Sequence, residues 1–118
     1  MTEIAYKLVD RREWEAARAA GAYGGSGVDR ADGYIHMSTA AQLAETARRH
    51  YAGRDGLLLV EVATARLGEA LRWEASRGGD LFPHVYGPLP LSAALSERAL
   101  SVRADGTPIF DDGADGWP

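Results

Sequence analysis

The chain has no cysteine. That removes thiol nucleophiles, thiolate metal ligands and disulfide staples together, and it suits a cytoplasmic protein. Lysine is nearly absent: Lys7 stands against twelve arginines, a skew read as compositional bias without structural meaning. No apolar run approaches the roughly 20 residues of a membrane span. The N-terminus has no basic segment followed by an apolar one, so no signal peptide is expected. Positive charge is not in excess. A net charge of −4 argues against nucleic-acid binding through bulk charge. The glycine-rich stretch 22–30 lacks the Gly-Lys-Ser/Thr ending of a phosphate loop and the spacing of a dinucleotide fingerprint. Ser26 lacks the frame of a nucleophile elbow. The three histidines, His36, His50 and His84, share no helix face at ligand spacing, so no metal site is expected.

What is present fits one domain. A chain of 118 residues buries roughly 65% of its unfolded surface, enough for a core without staples. Alternation of Ile4, Tyr6 and Leu8 predicts a first strand. Asp10 and Glu13 start a helix over 11–20, with Trp14 as its anchor and Gly21 as its stop. The stretch 22–30 reads as loop. Tyr34, His36 and Ser38 alternate with Ile35 and Met37, which predicts a strand with one polar face. Thr39 and Gln42 have capping-box spacing and predict a second helix over 40–51, where His50 suits the negative end of the helix dipole. Leu57 to Val62 reads as a central strand buried on both faces. Leu71 to Glu74 is a short strand with Leu71 and Trp73 on one face, Arg72 and Glu74 on the other. Three prolines within 83–90 predict irregular backbone over 81–90. A last strand follows over 96–102. The sum is one α+β domain over 1–104, with about five strands in a mixed or antiparallel sheet and two main helices. The acidic, glycine-rich residues 105–118 are expected to form a loose tail, with Ile109, Phe110 and Trp117 as its only hooks.

One constellation has the composition of a site. It joins His36 to Glu74, a carboxylate at a strand end, and to His84. Arg72 and Arg77 suit a phosphate or carboxylate. Trp73, Tyr86 and Phe82 offer aromatic faces for stacking, with Tyr34 two residues before His36, while Ser38 and Thr39 offer hydroxyls ahead of a helix N-terminus. His36, Glu74 and His84 are the candidate catalytic residues. Tyr34, Ser38, Thr39, Arg72, Trp73, Arg77 and Tyr86 are the candidate ligand contacts.

These stretches also resemble a known family. Ala5-Tyr6-Lys7-Leu8-Val9, Glu13-Trp14, Asp32-Gly33-Tyr34-Ile35-His36-Met37-Ser38-Thr39, Leu71-Arg72-Trp73-Glu74 and Leu81-Phe82-Pro83-His84-Val85-Tyr86-Gly87-Pro88-Leu89-Pro90 resemble the DUF952 family of small bacterial and plant proteins, over roughly residues 4–103. That family is in turn similar to a minimal ADP-ribosyltransferase fold. The resemblance implies an ADP-ribosyltransferase-like α+β domain. It implies that His36 holds a ribose hydroxyl of NAD, with Ser38 and Thr39 nearby and Glu74 or His84 in the place of a late acidic residue. NAD would be a substrate, and the resemblance leaves the cofactor open.

Three functions are therefore carried forward. The first is a nucleotide- or NAD-related transferase using His36. The second is a binding module that holds a nucleotide-like small molecule in the same pocket without turning it over. The third is an interaction protein docking through the aromatic segment 81–90.

Overall fold

Strand β1 (Ile4–Asp10) follows the alternation of its sequence, sending Tyr6 and Leu8 to one face and Ala5, Lys7 and Val9 to the other. Asp10 ends it by capping helix α1 (Arg11–Ala20), its carboxylate accepting from the Arg12 and Glu13 N–H groups at 2.9 and 3.2 Å. Gly21, at φ 83°, stops the helix. The computed structural model describes residues 3–76 and 78–118.

The stretch expected to be loop contains structure. Ala22–Tyr23 forms β2, and Gly27–Asp32 forms a short helix, α2. Its cause is a reciprocal cap: Ser26 Oγ accepts from the Asp29 N–H at 3.1 Å, and Asp29 Oδ2 accepts from the Ser26 N–H at 2.9 Å. The strand expected over 34–39 is shorter, with β3 covering only Ile35–His36. Its polar alternation holds, and Ser38 continues it by a bridge to β1, with N···O distances of 2.7 and 2.9 Å to Tyr6. Thr39 donates its N–H to Gln42 Oε1 at 3.0 Å, opening a 3-10 turn over Ala40–Gln42 that leads into α3 (Leu43–His50).

Six strands follow, with 3-10 turns over Thr64–Arg66, Gly68–Ala70 and Leu91–Ala93 between them: β4 (Leu57–Ala63), β5 (Leu71–Ser76), β6 (Asp80–Val85), β7 (Leu89–Pro90), β8 (Ala94–Val102) and β9 (Pro108–Phe110). Among the described residues this gives nine strands and three α-helices, against about five and two expected; most of the additions are two or three residues long. All the pairings are antiparallel. One sheet runs β1-β4-β8-β9, a second β3-β6-β5, and β2 pairs with β7.

The four-stranded sheet is buried on both faces, which is why Leu57 to Val60 is continuously apolar. Leu58, Val60 and Val62 face Trp14 and Ala17 of α1 and Ile35, Met37 and Val85 of the second sheet. Leu57 and Leu59 face Leu43 and Ala47 of α3, with Leu100 and Phe110. Lys7 points into the first of these layers.

Two expectations are corrected. The proline-rich segment is not irregular: β6 carries Pro83 and is the middle strand of its sheet. The β3 ladder spans only Ile35 and His36, so Pro83 lies just beyond it and contributes only its carbonyl, which accepts from the Met37 N–H at 3.0 Å. The tail is not loose at its centre. Strand β9 pairs with β8, Phe110 is buried, Trp117 packs edge-on against it at 5.9 Å, and the Arg98 guanidinium lies 4.0 Å above it. One buried aromatic outweighs the acidic, glycine-rich composition around it. Phe110→Ala is therefore expected to lower the unfolding free energy by about 3–5 kcal/mol in urea titration. An unchanged midpoint would show that residues beyond 104 add nothing to the core.

Candidate functional site

The polar face of the second sheet gathers the candidate residues. Cross-strand register places His36 opposite His84, and His84 opposite Arg72, with Glu74 opposite Phe82. Side chains at alternate positions share a face, so Tyr34, His36, His84, Tyr86, Arg72 and Glu74 stand together. Tyr34 is at the centre: its ring stacks on His84 at 4.2 Å and lies 4.7 Å from His36 and 5.2 Å from Tyr86. The His36 and His84 rings are 5.6 Å apart.

Each histidine is held by a carboxylate. Glu74 Oε1 accepts from His84 Nδ1 at 2.8 Å and from the Tyr86 hydroxyl at 2.7 Å. The Tyr86 and His84 hydrogen bonds together hold the Glu74 carboxyl below its ordinary range, and the same bond raises the Tyr86 hydroxyl. Arg72 closes the row with its guanidinium 4.5 Å above the Tyr86 ring.

His36 is held from below by a residue that the sequence reading missed. Asp29, in α2, is 2% exposed and accepts from His36 Nδ1 at 2.6 Å, from the His36 backbone N–H at 3.1 Å and from Lys7 Nζ at 3.0 Å. Lys7 is 5% exposed. Burial alone would raise the Asp29 carboxyl. The His36 and Lys7 contacts and the backbone N–H groups of Ser26 and His36 outweigh it and hold the group well below the usual carboxylate range. Gly25 permits this packing: at φ 100°, a Cβ there would lie 2.8 Å from Asp29 Cβ. On the outer side, His36 Nε2 lies 2.9 Å from Asp32 Oδ2, a half-exposed carboxylate at the end of α2.

A cleft of about 640 Å³ opens beside this face. His36, His84, Ser38, Lys7, Arg49 and Arg54 contribute to its wall. Burial pushes the Tyr51 hydroxyl, also on this wall, up to about 12, and it donates to the Leu8 carbonyl at 3.0 Å. Among the described residues no cluster of three or more ligating side chains is arranged to hold a metal ion.

The structure thus brings His36, Glu74, His84, Tyr34, Arg72 and Tyr86 together. Ser38 lines the cleft with its hydroxyl 2.9 Å from that of Thr46. Thr39 is spent on the turn before α3, and Trp73 lies on the opposite face of β5, opposite Pro83. Arg77 lies outside the described residues. Asp29 and Lys7 were missed, yet each left a signal. Ser26 and Asp29 have capping-box spacing, and a lone lysine in an arginine-rich chain sits at an inward position of β1.

Fold and site define a small α+β domain carrying a histidine- and tyrosine-rich polar face beside a cleft. The chain belongs to the DUF952 family, described as proteins of unknown function, whose model matches residues 8–97. The crystal structure of protein CC0527 from Caulobacter crescentus is similar, at 48% identity over 90% of this chain and 93% of that one, with a TM-score of 0.85. The solution NMR structure of the same bacterial protein matches at 48% identity over 87% and 89% of the two chains, with a TM-score of 0.76. Comparison with curated proteins gives no match. Among the described residues no helix is long and apolar enough to cross a membrane.

The Asp29 contacts give a prediction. Asp29→Ala leaves the Lys7 ammonium buried without its counter-charge and is expected to cost about 3–5 kcal/mol of stability. Because the folded state holds the Asp29 carboxyl low, its contribution is complete above the ordinary value of 3.8 and is lost as pH falls through the folded value. In urea titrations the gap between parent and variant is expected to narrow below pH 4 or so. A gap that stays constant down to acid denaturation would mean that ionised Asp29 is not what the fold depends on.

Proposed function

We propose that this protein binds a nucleotide-like ligand, NAD in the first instance, at the polar face beside His36, and transfers the ligand's ribosyl group to an acceptor. The ADP-ribosyltransferase-like character implied by the sequence is part of this proposal. The observation that carries it is the convergence of Tyr34, His36 and His84 on one sheet face, at ring separations of 4.2 to 5.6 Å, next to a cleft of ligand size. His36 suits a ribose diol because Asp29 fixes its Nδ1 and leaves Nε2 facing only Asp32, a half-exposed carboxylate that a ligand hydroxyl can displace. Tyr34 and Tyr86 supply ring faces, and Arg49 and Arg54 line the cleft where a diphosphate needs positive charge. Glu74, kept ionised by its two donors, places a negative charge near a developing oxocarbenium centre. Docking of segment 81–90 on a protein partner is less well supported: Phe82, His84 and Val85 are buried in β6, and Leu81 is its one exposed large apolar side chain.

Thermal-shift titration with NAD, ADP-ribose, nicotinamide and AMP tests the reading. A ligand that binds only the folded state raises the melting temperature with the logarithm of its concentration. NAD or ADP-ribose is expected to raise the midpoint of the parent, and His36→Ala and Tyr34→Ala are expected to abolish the rise while still melting cooperatively. No rise with any of the four would overturn the assignment. A rise with no nicotinamide released on long incubation would reduce the protein to a binding module.

A further inference from the structure

His36 and His84 stand side by side on one sheet, yet their ring nitrogens have different partners. Both nitrogens of His36 face carboxylates, Nδ1 toward Asp29 at 2.6 Å and Nε2 toward Asp32 at 2.9 Å. An ionised carboxylate only accepts, so each ring nitrogen of His36 is aimed at an acceptor. Only one nitrogen of His84 is tied: Nδ1 donates to Glu74 Oε1 at 2.8 Å. That oxygen is shared with the Tyr86 hydroxyl, and the stack of Tyr34 at 4.2 Å fixes the plane of the His84 ring. His84 Nε2 has no hydrogen-bond partner among the described residues, and His84 lines the cleft. An imidazole that donates at Nδ1 carries its lone pair at Nε2. One sheet face thus presents a ring held between two carboxylates and a ring with one open nitrogen, with centroids 5.6 Å apart.

We propose that His84 Nε2 is the base of this site and takes the proton of a water or hydroxyl acceptor, while His36 beside it holds the ligand. The identity of the other reactant rests on the ribosyl-transfer reading above. The balance of that reaction asks for one base and no acid. The glycosidic C–N bond of NAD breaks with its electron pair going to the nicotinamide ring, which leaves as a neutral amide and needs no proton. The acceptor oxygen forms the new C–O bond and gives up its proton, which comes to rest on His84 Nε2. Glu74, already bound at Nδ1, stabilises the imidazolium that results. Glu74 and Tyr86 are positioning residues in this scheme, because they act through His84. The acceptor class follows: an oxygen nucleophile that carries a proton, water or an alcohol, in preference to a preformed anion, which would need no base.

Two measurements test this, and the first needs no ligand. In ¹⁵N-labelled parent protein at neutral pH, imidazole nitrogen shifts distinguish a bare ring nitrogen from a protonated one. His84 is expected to show a protonated Nδ1 and a bare Nε2. A bare Nδ1 or a protonated Nε2 on His84 would overturn the proposal, whatever NAD does. The second measurement follows nicotinamide release from NAD in water by parent, His84→Gln and Glu74→Gln proteins, with NAD binding read separately by thermal shift. His84→Gln is expected to keep the NAD shift and lose release by roughly a hundredfold or more. Glu74→Gln is expected to lose less, with its His84 nitrogen shifts moving toward a mixture of tautomers. Undiminished release by a His84→Gln protein that still binds NAD would overturn the base assignment. Failure of the parent to bind NAD would instead sink the ribosyl-transfer reading, and the open nitrogen of His84 would then stand or fall on its spectrum alone.

Discussion

Asp29 is the group on which the arrangement of this protein depends. A carboxylate removed from water must recover its lost hydration from fixed donors. It takes them from three separate parts of the chain: Lys7 on the first strand, the Ser26 cap of its own helix, and the backbone and ring of His36 on the short third strand. These contacts cross the junction between the four-stranded and three-stranded sheets. Two hydrogen bonds between Tyr6 of β1 and Ser38, just past β3, also cross that junction. Asp29 therefore ties the two sheets together and aims His36 with one set of contacts.

The geometry above that anchor follows from the period of a strand. Because alternate residues share a face, one register, His36 opposite His84 opposite Arg72, brings Glu74 into the same row, and Tyr34 and Tyr86, one residue beyond the ends of their strands, extend it. Ile35, Met37 and Val85, one residue out of phase, are the core of the same strands. A slip of one residue would bury the histidines and expose that core. Packing and site are thus enforced by the same register, and the site rests on strands whose other face is held by apolar burial.

Much of this was legible in the sequence because it is local and periodic. The polar alternation from Tyr34 to Ser38, the faces of Arg72 and Glu74, the doubly buried run from Leu57, and the caps at Asp10 and Thr39 depend on residues within a few positions of each other. What escaped was set by partners far away. Glycines 24, 25 and 27 argued for loop, and the short cap between Ser26 and Asp29 won because Asp29 is also held by Lys7 and His36. Prolines 83, 88 and 90 argued against a ladder, but the strand needed only one carbonyl at Pro83. The acidic tail argued for looseness, and its composition gave no weight to the socket waiting for Phe110 between the last helix and the sheet. Lys7 was the hardest, since nothing near it in sequence says that its partner lies 22 residues on.

The buried pair of Lys7 and Asp29 is poorly explained as a stability device. Two charges taken from water lose about as much as their attraction returns, and apolar residues of the same volume would hold such a junction as well or better. The pair makes sense when its third member is counted. An apolar contact at position 29 would leave His36 free to turn about its side-chain bonds, and Nε2 would have no fixed direction. A carboxylate at that place selects one ring orientation, and Lys7 keeps the carboxylate charged and in place where water does not reach. Glu74 does the same for His84 from the other edge of the row, but from a half-exposed position and with Tyr86 in the part of Lys7. Two histidines oriented by two carboxylates, one deep and one shallow, differ in what they leave open: His36 ends on a carboxylate that is displaceable, His84 on a nitrogen with no hydrogen-bond partner among the described residues. Burial of the supporting acid therefore decides how firmly each ring is held, and the number of carboxylates around each ring decides what it offers to a ligand.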